Sequence, residues 1–185
     1  MGIIEAIATI TGVIGVALQA KEKIIAWPLL IISVGLAVYV FWINKLYSDM
    51  GLHCVYVVLN VYGWMIWSGN SPDIKVEVTK VLSKREMLGA LVVGLLGSVI
   101  LGYVMDNYTD ADLAYFDAFT TSMSLVAQFL LAKKILQNWI LWIIADLVAF
   151  PIYIYKGLYF FAFLFLIYLI LSIYGYSQWK KNLNN

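Results

Sequence analysis

Residues Asn138–Asp146 read NWILWIIAD, and 112 positions earlier Ala26–Val34 read AWPLLIISV. The two stretches share a tryptophan in second place, a leucine in fourth and an Ile-Ile pair. They differ at the end, where Asp146 stands opposite Val34. Extending the offset outward needs no gap. Thr9 meets Thr121, Leu18 meets Leu130, and Ala20-Lys21 meets Ala132-Lys133. Leu46-Tyr47 meets Leu158-Tyr159, Tyr56 meets Tyr168, Tyr62-Gly63 meets Tyr174-Gly175, and Trp67 meets Trp179. Leucine matches between apolar segments come cheaply. Matches of Trp, Tyr-Gly and Lys at one offset do not, and they mark an internal repeat.

The repeat sits in a chain made for lipid. Of 185 residues, 63% are hydrophobic and 12% charged, with a mean hydropathy of +0.88. Soluble domains carry about 25% charged residues. A helix crosses the bilayer core in about 20 apolar residues. Seven runs qualify: 3–20, 26–44, 51–68, 87–105, 114–132, 137–155 and 158–178. Pro151, well inside the sixth run, is expected to kink that helix by freeing a carbonyl. Alternating the loops places ten of the twelve Lys and Arg residues on one side and only Lys45 and Lys156 on the other. Basic loops stay in the cytoplasm, which predicts an external N-terminus and an internal C-terminus. The N-terminal MGIIEAIATITG carries Glu5 and no basic residue, unlike a cleavable signal peptide.

The predicted fold class is an all-α integral membrane protein. Seven transmembrane helices form two parallel three-helix repeats joined by a linker helix. The first repeat covers 1–68, a cytoplasmic loop 69–86, the linker helix 87–105 and the second repeat 114–179. Three helices alone would leave the second triplet inverted, and one added crossing turns it back. Parallel repeats around an axis along the membrane normal are a transporter arrangement, with substrate held between them near the midplane.

The repeat also separates scaffold from function. Residues carried by both halves, such as Tyr62-Gly63 with Tyr174-Gly175 and Tyr56 with Tyr168, read as structural. Trp67 and Trp179 read as members of the interfacial aromatic belt. Residues that are polar or aromatic in one half only are the candidates for binding: Asn138 against Ala26, Trp142 against Leu30, Asp146 against Val34 and Gln128 against Val16. Trp139, Trp142 and Asp146 fall on one helix face, which Phe150 and Tyr153 continue. Asn60, inside the third run, is a further candidate. An acid at a helix centre costs about 2.5–3.5 kcal/mol on insertion scales, so idle placement is disfavoured. A structural bond, with Gln128 as partner, is the competing role for Asp146. Glu5 and Asp117, near the other ends of their helices, attract cations or simply meet water. An aromatic face with one anion suits a cationic aromatic ligand, since tryptophan is the best cation–π partner and a carboxylate neutralises the charge.

The 3+1+3 plan, with LYSD and YGWMIW early and NWILWIIAD, YKGLYFFAFLF and YGYSQW late, resembles the PnuC family of vitamin transporters over nearly the whole chain. The resemblance implies a SWEET-like architecture in a bacterial inner membrane. It also implies facilitated diffusion of an unphosphorylated B-type vitamin, trapped by a cytoplasmic kinase. Family branches carry nicotinamide riboside, thiamine or riboflavin. The nicotinamide riboside branch tends to have asparagine where this chain has Asp146. That departure, and the donor-bearing aminopyrimidine of thiamine, place thiamine ahead of nicotinamide riboside, with neutral riboflavin third. A proton- or cation-coupled vitamin carrier is the other transport reading.

Other classes find less support. A net charge of +1 gives nucleic acid no electrostatic purchase. His53 and Cys54, the single His and Cys, are too few for a zinc site and read as packing residues. No H-E-x-x-H, P-loop or nucleophile elbow supports an enzyme, and no cofactor is expected. The expected partners are the vitamin and the lipid bilayer. A homo-oligomer is compatible with the sequence.

Overall fold

The computed structural model describes residues 2–45, 47–69, 79–109 and 112–183, with the side chains of Tyr47 and Ser48 left aside. Seven helices follow one another: α1 (Ile3–Ala20), α2 (Ala26–Ile43), α3 (Tyr47–Trp67), α4 (Lys84–Tyr108), α5 (Ala114–Ala132), α6 (Asn138–Tyr155) and α7 (Tyr159–Asn182). Their starts are chemically marked. Ser83 and Glu86 form a capping box at α4, with Ser83 N–H donating to Glu86 Oε2 at 2.8 Å. Glu5 accepts the Gly2 N–H at 2.8 Å in the first turn of α1. Both satisfy donors that the helix itself leaves orphaned. α6 runs unbroken through Pro151, four residues before its end.

Six of the seven helices are long and apolar enough to cross a membrane by themselves. The one that falls short is α5, which carries Asp117, Thr120, Thr121, Ser122, Ser124 and Gln128. It packs against α3, α4 and α6. Much of its surface meets protein, so its polar residues need not face lipid.

Among the described residues, the remaining contacts close a ring of six helices in the order α1, α2, α3, α5, α6, α7 and back to α1. α4 stands outside and, among the described helices, touches α5 alone. Its glycines make that contact close. Ser122 Oγ donates to the Gly94 carbonyl at 2.8 Å, and Gly102 lies against the Tyr115 ring. Small residues permit such approach where hydrophobic driving force between helices is absent.

The sequence repeat is a structural one. Within each triplet the helices touch in order, and the triplets meet twice, α3 on α5 and α7 on α1, which the offset interchanges. Trp27 meets Trp67 edge-to-face at 5.3 Å, and Trp139 meets Trp179 at 5.5 Å. Phe41 and His53 pack at 4.7 Å, and their counterparts Tyr153 and Phe165 at 4.9 Å. Glu22 and Lys134 share a left-handed backbone (φ 55 and 57), as do Lys45 and Gly157 (φ 58 and 71).

One expectation is corrected. Trp67 and Trp179 do not form a lipid-facing belt. Trp179 is 0% exposed and belongs to a core cluster with Trp27 and Trp139, against which Trp67 packs. The cause lies at the helix ends. Trp67 Nε1 donates to the Ala132 carbonyl at 3.2 Å, and Trp179 Nε1 to the Gln19 carbonyl at 3.2 Å. Those carbonyls lie in the last turns of α5 and α1, where a helix leaves acceptors without intrahelical partners. Each indole crosses to the other triplet to reach one, and the Gln19 carbonyl also accepts the Glu22 N–H at 2.9 Å.

Gly63 lies under the Trp27 ring and Gly175 under the Trp139 ring, so close that a Cβ on either would enter the indole. Gly63→Ala and Gly175→Ala should each cost about 1–3 kcal/mol through overpacking, read as a lower melting temperature in detergent. Gly89→Ala, where a Cβ meets nothing within 4 Å, should leave it unchanged. Equal losses at all three positions would refute the packing role.

Candidate functional site

Asp146 is the ninth of the eighteen residues of α6, and it is 2% exposed. α6 starts at the lysine-rich end of the bundle and finishes at the other, so Asp146 sits at mid-depth. Among the described residues its carboxylate accepts one hydrogen bond, from Ser172 Oγ of α7 at 3.3 Å. That is long for an O–H···O bond, which is usually about 2.7–2.8 Å. The partner is thus Ser172, not Gln128 as the sequence suggested. A carboxylate has roughly four acceptor sites, and Ser172 occupies one of them weakly.

Two tyrosines lie near this carboxyl group, Tyr56 of α3 and Tyr168 of α7. They are counterparts under the offset, and each crosses to the first helix of the other triplet. The Tyr168 hydroxyl lies beside Gly12 of α1, and the Tyr56 hydroxyl beside Ser124 of α5. Gly12 and Ser124 are counterparts as well. About one turn nearer the lysine-rich end, Gln128 Nε2 of α5 donates to Asn60 Oδ1 of α3 at 3.2 Å, with both residues buried. Asn60 also donates to the Tyr56 carbonyl at 2.8 Å. A polar core contributed by α3, α5, α6 and α7 therefore spans the junction of the two triplets.

The structure divides the predicted site residues. Asp146, Gln128 and Asn60 belong to this core. Trp142, partly buried, packs against both core clusters one turn from Asp146. Trp139 and Asn138 lie about 10–12 Å along α6 from Asp146. Trp139 is edge-on to Trp179, and Asn138 Nδ2 donates to the Ile135 carbonyl at 2.7 Å. Both occupy the tryptophan-rich end and pack where Trp27 and Ala26 pack in the first triplet. Tyr153 lies about 10 Å the other way, stacked on Phe161 at 5.6 Å and Phe165 at 4.9 Å. The periodicity that put these residues on one face was sound, but the face is longer than the polar core.

Other charged candidates have local partners. Asp117 pairs with Lys156 at 2.6 Å, which ties α5 to the end of α6. Glu5 caps α1. Two surface clefts, one of about 330 Å³ lined by Tyr115, Phe116, Phe119 and Val148, the other of about 420 Å³ lined by Tyr176, Ser177, Lys180 and Lys181, carry no acid.

The polar core also holds Tyr56, Tyr168, Ser124 and Ser172, which the sequence does not single out. The tyrosines were discounted because both halves carry them. Near an axis that relates the halves, a shared residue points twice into the same central space, so sharing does not exclude function.

A ring of six helices in two parallel triplets, five of them apolar enough to cross a membrane by themselves, with an equally apolar odd linker helix and a buried acid between the halves at mid-depth, defines a multi-pass membrane transporter. The chain belongs to the family described as Nicotinamide mononucleotide transporter, whose profile matches residues 2–181. It is similar to the nicotinamide riboside transporter PnuC of Escherichia coli (strain K12), 25% identical over 95% of this chain and 84% of the relative. It is 28% identical to PnuC of Neisseria mucosa over 96% of this chain and 72% of the relative. The riboflavin/roseoflavin transporter RibM of Streptomyces davaonensis is 25% identical over 95% and 83%. A crystal structure of the vitamin B3 transporter PnuC superposes with a TM-score of 0.78, 25% identity, and coverage of 98% of this chain and 82% of that one.

Trp139→Ala should cost about 3–5 kcal/mol of stability, read as loss of folded protein in detergent. Tyr153→Phe, which keeps the stacked ring, should stay within about 0.5 kcal/mol. A Trp139→Ala protein that melted like the parent would return Trp139 to the candidate binding residues.

Proposed function

We propose that this chain is a facilitator for uptake of a cationic aromatic vitamin, nicotinamide riboside first, and that Asp146 is its counter-charge. The observation that carries the reading is the buried carboxylate at mid-depth between the triplets with a single weak donor. Nicotinamide riboside seated there supplies both missing partners: its pyridinium, which has no N–H, balances the charge, and its carboxamide N–H or ribose hydroxyls donate to the carboxylate. Charge-assisted contacts of this kind are roughly twice as strong as neutral ones. Trp142, one turn away, adds a cation–π contact of about 2 kcal/mol or more when desolvated. Tyr56 and Tyr168 present hydroxyls from opposite sides, and Asn60 with Gln128 closes the polar core on the lysine-rich side.

The names of the relatives favour nicotinamide riboside over thiamine. Thiamine is kept as the second reading because Asp146 is a carboxylate, which accepts from an aminopyrimidine as readily as it balances a thiazolium. Riboflavin, neutral, gains less from a desolvated anion. The lysine-rich end is cytoplasmic in this proposal, and a cytoplasmic kinase traps the cargo.

The test is titration of purified protein with nicotinamide riboside and with thiamine, followed by tryptophan fluorescence and calorimetry. Nicotinamide riboside should bind the more tightly. Asp146→Ala should weaken it at least tenfold, about 1.4 kcal/mol. Tyr56→Phe and Tyr168→Phe should each weaken it severalfold, the loss of about one hydrogen bond. Binding of thiamine alone would overturn the cargo, and unchanged affinity in folded Asp146→Ala would overturn the site. In proteoliposomes, uptake should survive an uncoupler, and collapse would mark a proton-coupled carrier instead.

A further inference from the structure

Two residues that are each other's counterparts under the offset can touch only where both lie beside the axis relating the halves. Among the described residues, two such pairs touch. The Trp67 and Trp179 rings are 5.8 Å apart, and Lys134 Nζ is 2.8 Å from Glu22 Oε2. Both lie at the lysine-rich end, directly inward of the polar core around Asp146. They form one network. Lys134 Nζ also stands 5.4 Å over the Trp67 ring, and Asn182 Nδ2 donates to Glu22 Oε1 at 2.7 Å. The carboxylate and ammonium are only 16% and 13% exposed, so solvent screens them less than a surface pair. This network crosses between the triplets four times: Glu22 to Lys134, Lys134 to Trp67, Trp67 to Trp179, and Asn182 back to Glu22. It also encloses unpartnered polar atoms, among them Trp27 Nε1, Trp139 Nε1 and Gln19 Nε2. Water entering there would satisfy them, so the closed arrangement carries a cost that opening relieves.

The two halves are anchored differently at this end. Thr79–Leu82, the segment leading into α4, is strapped to the α5–α6 hairpin. Lys80 N–H donates to the Lys134 carbonyl at 2.9 Å, and Leu136 N–H to the Lys80 carbonyl at 2.8 Å. The Gln137 side chain accepts from Leu82 N–H at 3.0 Å and donates to the Leu82 carbonyl at 3.1 Å. The strap covers Ile135 and Leu136, which are 8% and 5% exposed. Ile24, the counterpart of Leu136 in the first triplet's hairpin, is 43% exposed. α4 adds its own packing on α5.

We propose that the Glu22–Lys134 pair latches a cytoplasmic gate on the axis, and that opening swings the first triplet away from a second triplet held by α4 and its strap. This rests on the transport reading above. The experiment has two arms, both in a Cys54→Ser background. In the first, Val16→Cys, which packs against the tryptophan cluster, is labelled by a water-soluble maleimide added to the cytoplasmic face. Glu22→Gln should speed labelling at least fivefold, and Glu22→Lys with Lys134→Glu should return it to within twofold of the parent. Unchanged labelling in Glu22→Gln would overturn the latch, and this arm needs no cargo. In the second, Glu22→Cys and Lys134→Cys are joined by a short, cleavable thiol–thiol cross-linker. Counterflow of nicotinamide riboside should fall at least tenfold and recover on cleavage. Joining Val81→Cys to Gln137→Cys across the strap should leave it within twofold. Counterflow that persists in the joined Glu22–Lys134 pair would overturn the gate, and loss of it in the joined strap would overturn the fixed half. A protein with no counterflow before joining would overturn the transport reading, with the labelling arm still deciding the latch.

Discussion

The contact between Trp67 and Trp179 is where the two triplets are pinned together. Lipid is as apolar as leucine, so burial of hydrocarbon does little to hold membrane helices to one another. What remains is close packing and the pairing of polar groups. The indoles supply both. Each fills the space above a glycine-backed neighbour in its own triplet, and each hands an N–H to a last-turn carbonyl of the other. An edge-to-face aromatic pair contributes about 0.5–1.5 kcal/mol beyond its buried area, and there are two such pairs plus the contact that joins them. While this end is closed, the tyrosines a few turns further along are carried to the junction near Asp146.

The scaffold is nearly symmetric and the chemistry is not. Asn60 and Ser172 occupy equivalent positions, yet Asn60 is engaged by Gln128 across the junction while Ser172 serves Asp146 within its own triplet. The counterparts of Gln128 and Asp146 are Val16 and Val34. Under the proposed function, a ligand entering this space would meet an acid and an amide on one side and aliphatic surface on the other. That asymmetry would give a flat, charged molecule one orientation rather than two.

Much of this was legible in the sequence because the repeat is ungapped. The helices follow from the apolar runs, and the unpaired linker helix and the equivalence of Trp27 with Trp139 follow from sliding the chain along itself. The site was legible only in part. Asp146 declared itself, because an acid in a run of Ile and Trp is too costly to stand there idle. Helical periodicity reports a face and not a depth, so it groups Trp139 with Asp146 although the two lie about 10 Å apart along α6. Tyr56 and Tyr168 were hidden by their symmetry. The strap of Thr79–Leu82 on the α5–α6 hairpin could not be read at all, since it depends on backbone groups and on one glutamine reaching across 55 positions.

A chain folded on itself can do something at its axis that two identical chains cannot. Under strict two-fold symmetry a residue beside the axis meets its own copy, so an acid would face an acid and a lysine a lysine. Position 22 holds Glu and position 134 holds Lys, and they attract. Once the two halves are joined in one polypeptide, the residue on each side of the axis becomes free to differ, and repulsion built into the symmetry becomes a bond. The same freedom allows one carboxylate at Asp146 instead of two competing for the same dry space. Covalent fusion of the halves is thus what makes the centre of this protein chemically addressable.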